Sequence, residues 1–215
     1  MPEYCGMSLS TATDKISDGH SMVVVGLTGG MGVGKSVLAQ ALRSLGHPVF
    51  DADSAARKLY DQDVDLLRSV SDRFGPEVLK PNGTLDRLAL ANVVFNDAEA
   101  LAELNAMVHP AVSRAFAQWK AGAEADGASL VFREAAILFE SGSDQDCDVI
   151  WAVTAPLALR IQRVQERNGW SRSEIMERLA HQWPADKINA SSHEVILNDG
   201  SQALVPLLLS LIDNL

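Results

Sequence analysis

One stretch near the start of the chain constrains the possible fold more than any other. Residues 28–36 read TGGMGVGKS and place four glycines ahead of Lys35 and Ser36. The stretch directly follows the apolar run 22–27, MVVVGL, which predicts a short buried strand. A helix is predicted immediately after it, at 35–45, from apolar residues at helical spacing. So much backbone freedom directly after a buried strand needs a functional explanation.

The spacing Gly29-x-x-x-x-Gly34-Lys35-Ser36 fits the phosphate-binding loop (P-loop) of nucleotide-binding proteins. Glycines let such a loop fold around a phosphate with its N–H groups pointing inward, and the helix that follows adds partial positive charge. Lys35 is predicted to reach the β- and γ-phosphates, and the Ser36 hydroxyl to bind Mg²⁺. The predicted nucleotide-binding residues are Gly30, Met31, Gly32, Val33, Gly34, Lys35, Ser36 and Val37.

The rest of the chain predicts an α/β fold with one irregularity. A second strand at 48–50 completes a strand–helix–strand unit, which implies a parallel sheet. Residues 53–128 then contain only helical patterns, at 54–60, 64–74, 85–95, 97–107 and 110–123. Further strands are predicted at 130–132, 149–153 and 195–197, and helices at 156–168, 171–182 and 202–212. Several consecutive helices between strands suggest a helical insertion in a five-stranded sheet.

Composition excludes several classes of function. The 215 residues carry a net charge of −10, so nucleic acid should be repelled, and no apolar run is long enough to span a bilayer. Cys5 and Cys147 have no metal-ligand spacing and are interpreted as free thiols in a reducing cytoplasm. Residues 1–21 lack the features of a signal peptide and are interpreted as a flexible tail.

Two acidic residues follow the second predicted strand. In a parallel sheet, ligands bind beyond the carboxyl ends of the strands, so Asp51 and Asp53 should lie at the same edge as the P-loop. A carboxylate there can accept a proton from an attacking hydroxyl or help to hold Mg²⁺. Asp53 is equally well placed to cap the helix that follows, and Asp51 can be an ordinary loop residue.

The chain resembles the dephospho-CoA kinase family. The residues that carry the resemblance occur in the family's order between residue 22 and about residue 213: GLTGGMGVGKS (26–36), FDADSAAR (50–57), VHP (108–110), ILFESG (137–142), Arg163 with Arg167, HQ (181–182) and VILNDG (195–200). The resemblance implies transfer of the γ-phosphate of ATP to the 3′-hydroxyl of dephospho-CoA with Mg²⁺. It also implies a three-layer P-loop kinase core (22–60 and 128–215), a helical substrate-binding insertion (about 61–127) and a helical lid (about 156–185).

The resemblance also assigns roles to individual residues. It implies that Asp53 is the catalytic base, that Arg57 contacts the acceptor, and that Arg163 and Arg167 are lid arginines near the transferred phosphate and the nucleotide. A solvated helix face is the alternative for the two arginines, which share one side of a helix.

Four further residues have assigned roles, and three of them have plainer alternatives. His109 and Glu140 are expected to bind the acceptor, but His109 can be a packed histidine and Glu140 can stabilise a turn. Asn198 is expected to contact adenine, with a turn asparagine as the alternative. Glu134 follows the third strand, where P-loop proteins often keep an acid that acts on Mg²⁺ through water.

The expected partners are ATP and dephospho-CoA, without nucleic acid or membrane, for a monomer or weak homo-oligomer. Another small-molecule P-loop kinase, such as a shikimate-kinase-like enzyme, is the alternative of the same class. A GTP-dependent switch is the alternative of another class, although the sequence contains no guanine-reading N-K-x-D segment.

Overall fold

A five-stranded parallel sheet forms the centre of the protein. The computed structural model describes residues 22–94 and 97–215, so the predictions for residues 1–21, Cys5 included, lie outside the described residues. The strands are β1 (Val23–Thr28), β2 (Val49–Asp51), β3 (Leu130–Glu134), β4 (Val149–Thr154) and β5 (Glu194–Leu197). Their order across the sheet is β2-β3-β1-β4-β5, and every pair is parallel. All five strands therefore end at the same edge, and β1 is central.

An α-helix follows every strand except β3, and the helices cover both faces of the sheet. They are α1 (Lys35–Ser44), α2 (Ala52–Gln62), α3 (Val64–Phe74), α4 (Arg87–Val94), α5 (Ala98–Ala125), α6 (Leu157–Asn168), α7 (Arg172–Ala180), α8 (Ala185–Ala190) and α9 (Leu204–Asp213). Helices α2 to α5 lie between β2 and β3 in the chain, where the sequence predicts consecutive helices without a strand.

The two faces of the sheet bury separate apolar cores. One core joins Val24 and Val131 of the sheet to side chains of α2 to α5, such as Val70 and Phe116. The other joins alternate residues of the same strands to α1 and α9. Alternation along the strands places successive side chains on opposite faces. The result is the predicted α/β fold with a helical layer on each side of the sheet.

The predicted helix boundary near Pro110 is wrong. The sequence predicts two helices separated near Pro110, whereas α5 runs without interruption from Ala98 to Ala125. Pro110 lacks the N–H that an interior helical position needs, at a cost of about 3 kcal/mol. Apolar residues on both sides of it, including Leu104 and Phe116, are buried in the same core, and each contributes about 1.5–3 kcal/mol. Tertiary packing therefore outweighs the local cost.

Within the part of the chain that the structure describes, no helix has the length and apolar character needed to cross a membrane.

Candidate active site

The glycine-rich loop lies between β1 and α1 at the carboxyl edge of the sheet. Gly29, Gly32 and Gly34 have φ values of 139°, 81° and 94°, a region that only glycine adopts without strain. Gly34 is also the N-cap residue of α1, which begins at Lys35. The loop thus turns sharply and presents backbone N–H groups at the start of a helix, as a phosphate site requires.

Neighbouring groups approach the loop closely. A Cβ atom at Gly30 would lie 2.3 Å from Nη2 of Arg160, and one at Gly34 would lie 2.2 Å from Nδ2 of Asn198. At Gly34 the positive φ and the contact with Asn198 both favour glycine, whereas at Gly30 only the contact with Arg160 does.

We expect Gly34→Ala to weaken ATP binding by about tenfold or more, because the added methyl group displaces Asn198 and strains the loop. Titration with a fluorescent ATP analogue measures the effect. Gly46→Ala is the matched control, since Gly46 also has a positive φ (91°) but nothing within 4 Å of the added carbon. Equal loss of ATP affinity in both variants would contradict a specific role for Gly34.

Lys35 lies in the first turn of α1 with its amino group folded back over the loop. Its Nζ donates to the carbonyl oxygen of Gly29 at 2.6 Å and is 3.5 Å from that of Gly30. Burial lowers the pKa of Lys35, while the charges of Asp53 and Glu134 act in the opposite direction. The amino group of Lys35 thus lies beside the loop and close enough to Asp53 and Glu134 to interact with their charges.

Asp51, and not Asp53, is the N-cap of α2. The Asp51 carboxylate accepts hydrogen bonds from the N–H and the hydroxyl of Ser54, each at 2.8 Å. The interpretation of Asp53 as the capping residue is therefore wrong, because the helix begins at Ala52, two residues earlier than that role requires. Asp53 instead lines the cavity described below.

The Asp53 carboxyl is exposed to this cavity, yet the surrounding walls reduce its hydration. This loss of solvation raises the pKa of Asp53, and the nearby Lys35 partly offsets the increase. A carboxylate of raised basicity that is open to a cavity can accept a proton from a bound hydroxyl group.

Glu134 ends β3 and brings a third carboxylate to the same edge. The strand register pairs Glu134 with Leu27 of β1 and with Asp51 of β2. Burial raises the pKa of Glu134, and repulsion from Asp51 acts in the same direction. The carboxylates of Asp51, Asp53 and Glu134 therefore place several acidic groups beside the P-loop.

The helix α6 supplies the arginines that face the loop. Arg163 and Arg167 both line the cavity, and Nη1 of Arg163 lies 3.3 Å from the carbonyl oxygen of Val33. Arg167 donates from Nε to the side-chain oxygen of Asn168 at 2.8 Å. The two arginines thus share a face directed at the site, as the four-residue spacing predicts.

Two contacts from the 156–185 segment hold the loop residue Met31 at both ends of its backbone. Arg160 donates from Nε to the Met31 carbonyl oxygen at 2.9 Å, and the Gln182 side-chain oxygen accepts from the Met31 N–H at 2.9 Å. Neither residue was among the predicted site residues. Signals existed for both, because Arg160 lies three residues before Arg163 on one helix and Gln182 belongs to the HQ motif.

Asn198 follows β5 and is almost fully buried. Its Nδ2 donates to the carbonyl oxygen of Val33 at 2.8 Å, and its N–H bonds to Thr154 at 2.8 Å. The side chain therefore supports the P-loop. Its contact with adenine stays a prediction.

These elements enclose a cavity of about 730 Å³. Of the predicted site residues, it brings together Met31, Gly32, Gly34, Lys35, Ser36, Val37, Asp53, Arg57, Glu134, Arg163, Arg167 and Asn198. Gly30, Val33, His109 and Glu140 do not line it. Gly30 and Val33 lie in the loop behind its surface, and His109 lines a second, smaller cavity of which Asp53 is also part.

Glu140 makes a contact at the far end of the 156–185 segment. Its Oε1 accepts a hydrogen bond from the Trp183 N–H at 2.8 Å, and the Trp183 ring stacks on Phe139 with centroids 5.4 Å apart. In the structure, Glu140 thus anchors the end of this segment, and its predicted contact with an acceptor stays untested.

The chain is similar to one well-defined group of proteins. A family model described as dephospho-CoA kinase matches residues 23–203. The dephospho-CoA kinase of Chlorobaculum tepidum is 38% identical over 183 residues, which cover 83% of this chain and 88% of the relative. The dephospho-CoA kinase of Geobacillus kaustophilus is 37% identical over 180 residues, covering 84% of this chain and 90% of the relative.

Solved structures have the same fold. The crystal structure of TT1252 from Thermus thermophilus aligns with a TM-score of 0.79 and 36% identity, covering 90% of this chain and 98% of that one. Dephospho-CoA kinase from Campylobacter jejuni aligns with a TM-score of 0.65 and 24% identity, covering 88% and 95% of the two chains. At this lower identity the second likeness concerns the fold alone.

Proposed function

The chain belongs to the dephospho-CoA kinase family, and from this premise we propose that it transfers the γ-phosphate of ATP to the 3′-hydroxyl of dephospho-CoA, giving coenzyme A and ADP. One observation of the site supports the proposal independently of family membership. The cavity that contains the P-loop also contains Asp53, so a donor phosphate and an acceptor hydroxyl can meet in one place. Phosphoryl transfer needs mainly such alignment and charge stabilisation.

The donor half of the proposed site is the P-loop with Lys35. Backbone N–H groups of residues 30–37 would bind the triphosphate, and Lys35 would move from the Gly29 carbonyl oxygen to the β- and γ-phosphates. The reduced solvation of Lys35 supports this role, because electrostatic attraction is stronger where water is excluded. Arg163 and Arg167 would add positive charge to the γ-phosphate from α6.

The acceptor half consists of Asp53 and Arg57 on α2. Asp53 would orient the ribose hydroxyl and accept its proton, and Arg57, which lines the same cavity, would bind a phosphate of the acceptor. The N-cap contacts of Asp51 fix the first turn of α2, so Asp53 is held towards the cavity by a rigid element. Helices α2 to α5 would form the acceptor-binding part, and α6 to α8 the lid.

The residues present fit a magnesium ion. Ser36 and Glu134 line the cavity with Asp51 and Asp53. A nearby cation would stabilise the ionised forms of these crowded carboxylates, which repel one another. Among the described residues, no group of three or more His, Cys, Asp or Glu side chains could hold a metal ion. Mg²⁺ is typically held by few protein ligands together with substrate phosphates and water, so Ser36 directly and Glu134 through water would be its protein partners. When bound, Mg²⁺ would neutralise charge on the transferred phosphate.

The proposed reaction also indicates the binding partners of the protein and its cellular compartment. We infer ATP and dephospho-CoA as the binding partners, no nucleic acid because of the net charge of −10, and a monomer or weak homo-oligomer. The need for ATP, together with the free thiol of Cys147, fits the reducing cytoplasm.

A panel of acceptors tests the proposed function. ADP release from Mg-ATP is measured with dephospho-CoA, with shikimate and without an acceptor. We expect stimulation by dephospho-CoA alone. Stimulation by shikimate instead would favour the alternative kinase, and a preference for GTP without any acceptor-stimulated release would contradict the kinase assignment.

Glu140 allows an anchoring role to be separated from substrate binding. We expect Glu140→Gln to change the KM for dephospho-CoA by no more than about twofold, because the amide oxygen still accepts from Trp183. Glu140→Ala removes the oxygen that accepts the hydrogen bond from the Trp183 N–H. It should therefore lower the free energy of unfolding by about 1 kcal/mol. Steady-state kinetics and thermal unfolding of both variants decide the matter. A large rise in this KM for Glu140→Gln at unchanged stability would show that the carboxylate itself binds the acceptor.

A further inference from the structure

A second cavity of about 170 Å³ adjoins Asp53. It lies between α2 and α5 and is closed by the segment 135–143. Ala56 and Tyr60 of α2 and His109 of α5 contribute to its walls, and Asp53 borders both this cavity and the larger one. An acceptor whose hydroxyl is bound at Asp53 therefore has part of its structure beside this cavity.

The wall formed by 135–143 is held in place by a buried cation. Arg133 is fully buried, bonds to Asp146 at 2.5 Å and donates to the Ser143 hydroxyl oxygen at 2.9 Å. Ser141 in turn donates from its hydroxyl to that of Ser143 at 2.9 Å. Because Ser141 and Ser143 both line the cavity, its shape is determined in advance of binding.

The cavity suits an uncharged ring and not an anion. Among the described residues that line it, none is Lys or Arg, Asp53 contributes a negative charge, and most of the others are apolar. A cavity of about 150 Å³ lined by apolar side chains is large enough to bind benzene. A diphosphate would lack a positive partner here, whereas the larger cavity offers Arg57.

His109 supplies a polar group that has no partner. Its Nε2 is buried, and no described group hydrogen-bonds to it. Burial lowers the pKa of His109, so the ring is neutral at pH 7 and has one donor and one acceptor nitrogen. A buried polar atom of this kind is expected to gain a partner when a ligand binds.

The covalent structure of dephospho-CoA decides which of its groups can reach the cavity. The 3′-hydroxyl is on the ribose, and the adenine base is attached only two ring carbons away. The pantetheine arm is separated from the ribose by the 5′ carbon and both phosphates. With the hydroxyl at Asp53 and the diphosphate at Arg57, the base is the uncharged group nearest the second cavity.

We propose that this cavity binds the adenine base of the acceptor and that His109 hydrogen-bonds to it. The inference rests on the proposed function and adds the orientation of the substrate. The base enters between α2 and α5, the diphosphate extends along the larger cavity towards Arg57, and the 3′-hydroxyl is thereby directed at Asp53.

Filling the cavity tests the proposal. Ala56→Leu adds three carbon atoms to the cavity wall, and Ala117→Leu, on the exposed side of α5, is the matched control. Each variant is assayed with dephospho-CoA, with an abasic analogue that keeps the 3′-hydroxyl, diphosphate and pantetheine, and with the methyl ester of ADP, which lacks pantetheine. Thermal unfolding verifies the fold. Ile137→Phe, from the 135–143 wall, repeats the test if Ala56→Leu does not fold.

We expect Ala56→Leu to lower kcat/KM for dephospho-CoA and for the methyl ester by about tenfold or more, and for the abasic analogue by less than about twofold. Equal losses with all three acceptors would overturn the proposal. A loss with dephospho-CoA and the abasic analogue but not with the methyl ester would assign the cavity to pantetheine and would overturn it as well. If the unaltered enzyme does not phosphorylate dephospho-CoA, the proposed function itself fails, which is a separate outcome.

Discussion

Asp53→Asn is expected to lower kcat by about 10²–10⁴, the range typical of a general base, while ATP still binds. Asparagine has nearly the same size and shape but cannot accept the proton of the attacking hydroxyl. Asp53 lies in the cavity free of the capping role, which belongs to Asp51, so the substitution leaves the start of α2 intact. Single-turnover kinetics with dephospho-CoA measure the chemical step, and titration with a fluorescent ATP analogue measures binding.

Asp63→Asn is the matched control for this variant. Asp63 caps α3 through its bond to the Leu66 N–H, a role that asparagine also performs, and it does not line the cavity. We expect near-normal turnover for it. Near-normal turnover of Asp53→Asn would contradict the assignment of Asp53 as the base.

The pH dependence gives a second check on Asp53. Its carboxyl must be deprotonated to accept a proton, and loss of solvation raises its pKa above the ordinary value. Activity should therefore fall as the pH is lowered through this raised pKa, earlier than an ordinary aspartate would predict. The residual activity of Asp53→Asn should not show this fall at low pH.

Lys35→Met is expected to lower kcat/KM for ATP by about 10²–10³, the effect of removing one preorganised donor from a developing charge. Methionine keeps most of the length of the side chain but removes the cation. The loss also leaves Asp53 and Glu134 without the positive charge that now stabilises their ionised forms. Steady-state kinetics at varied ATP concentration measure the effect.

Lys80→Met is the control for Lys35→Met. Lys80 is an exposed residue at a turn outside the cavity, so removal of its charge should not change the kinetics. Equal activities of the two variants would mean that Lys35 does not contact the triphosphate.

The position of the loop between the first strand and the first helix could be predicted because it depends on local signals. The apolar run 22–27, the glycines after it and Lys35 specify a strand, a turn and a helix without help from distant residues. The parallel sheet then brings Asp53 and Glu134 to the same edge as the loop. These parts of the candidate site follow from topology alone.

Other features depend on packing that a sequence does not display. The continuity of α5 through Pro110 follows from a shared core. The capping of α2 by Asp51 and not by Asp53 depends on a difference of two residues in where the helix begins. The contacts of Gln182 with Met31 and of Glu140 with Trp183 join residues 151 and 43 positions apart. Such contacts are set by the fold of the 156–185 segment over the loop.

The central claim is that a phosphate moves from ATP to one ribose hydroxyl of dephospho-CoA. The most direct measurement is analysis of the products of the complete reaction by ³¹P NMR and mass spectrometry. The account predicts one ADP for each molecule of a new phosphomonoester, with the phosphate on the 3′ oxygen. ADP formed without a phosphorylated acceptor, or a phosphate at another position, would contradict it.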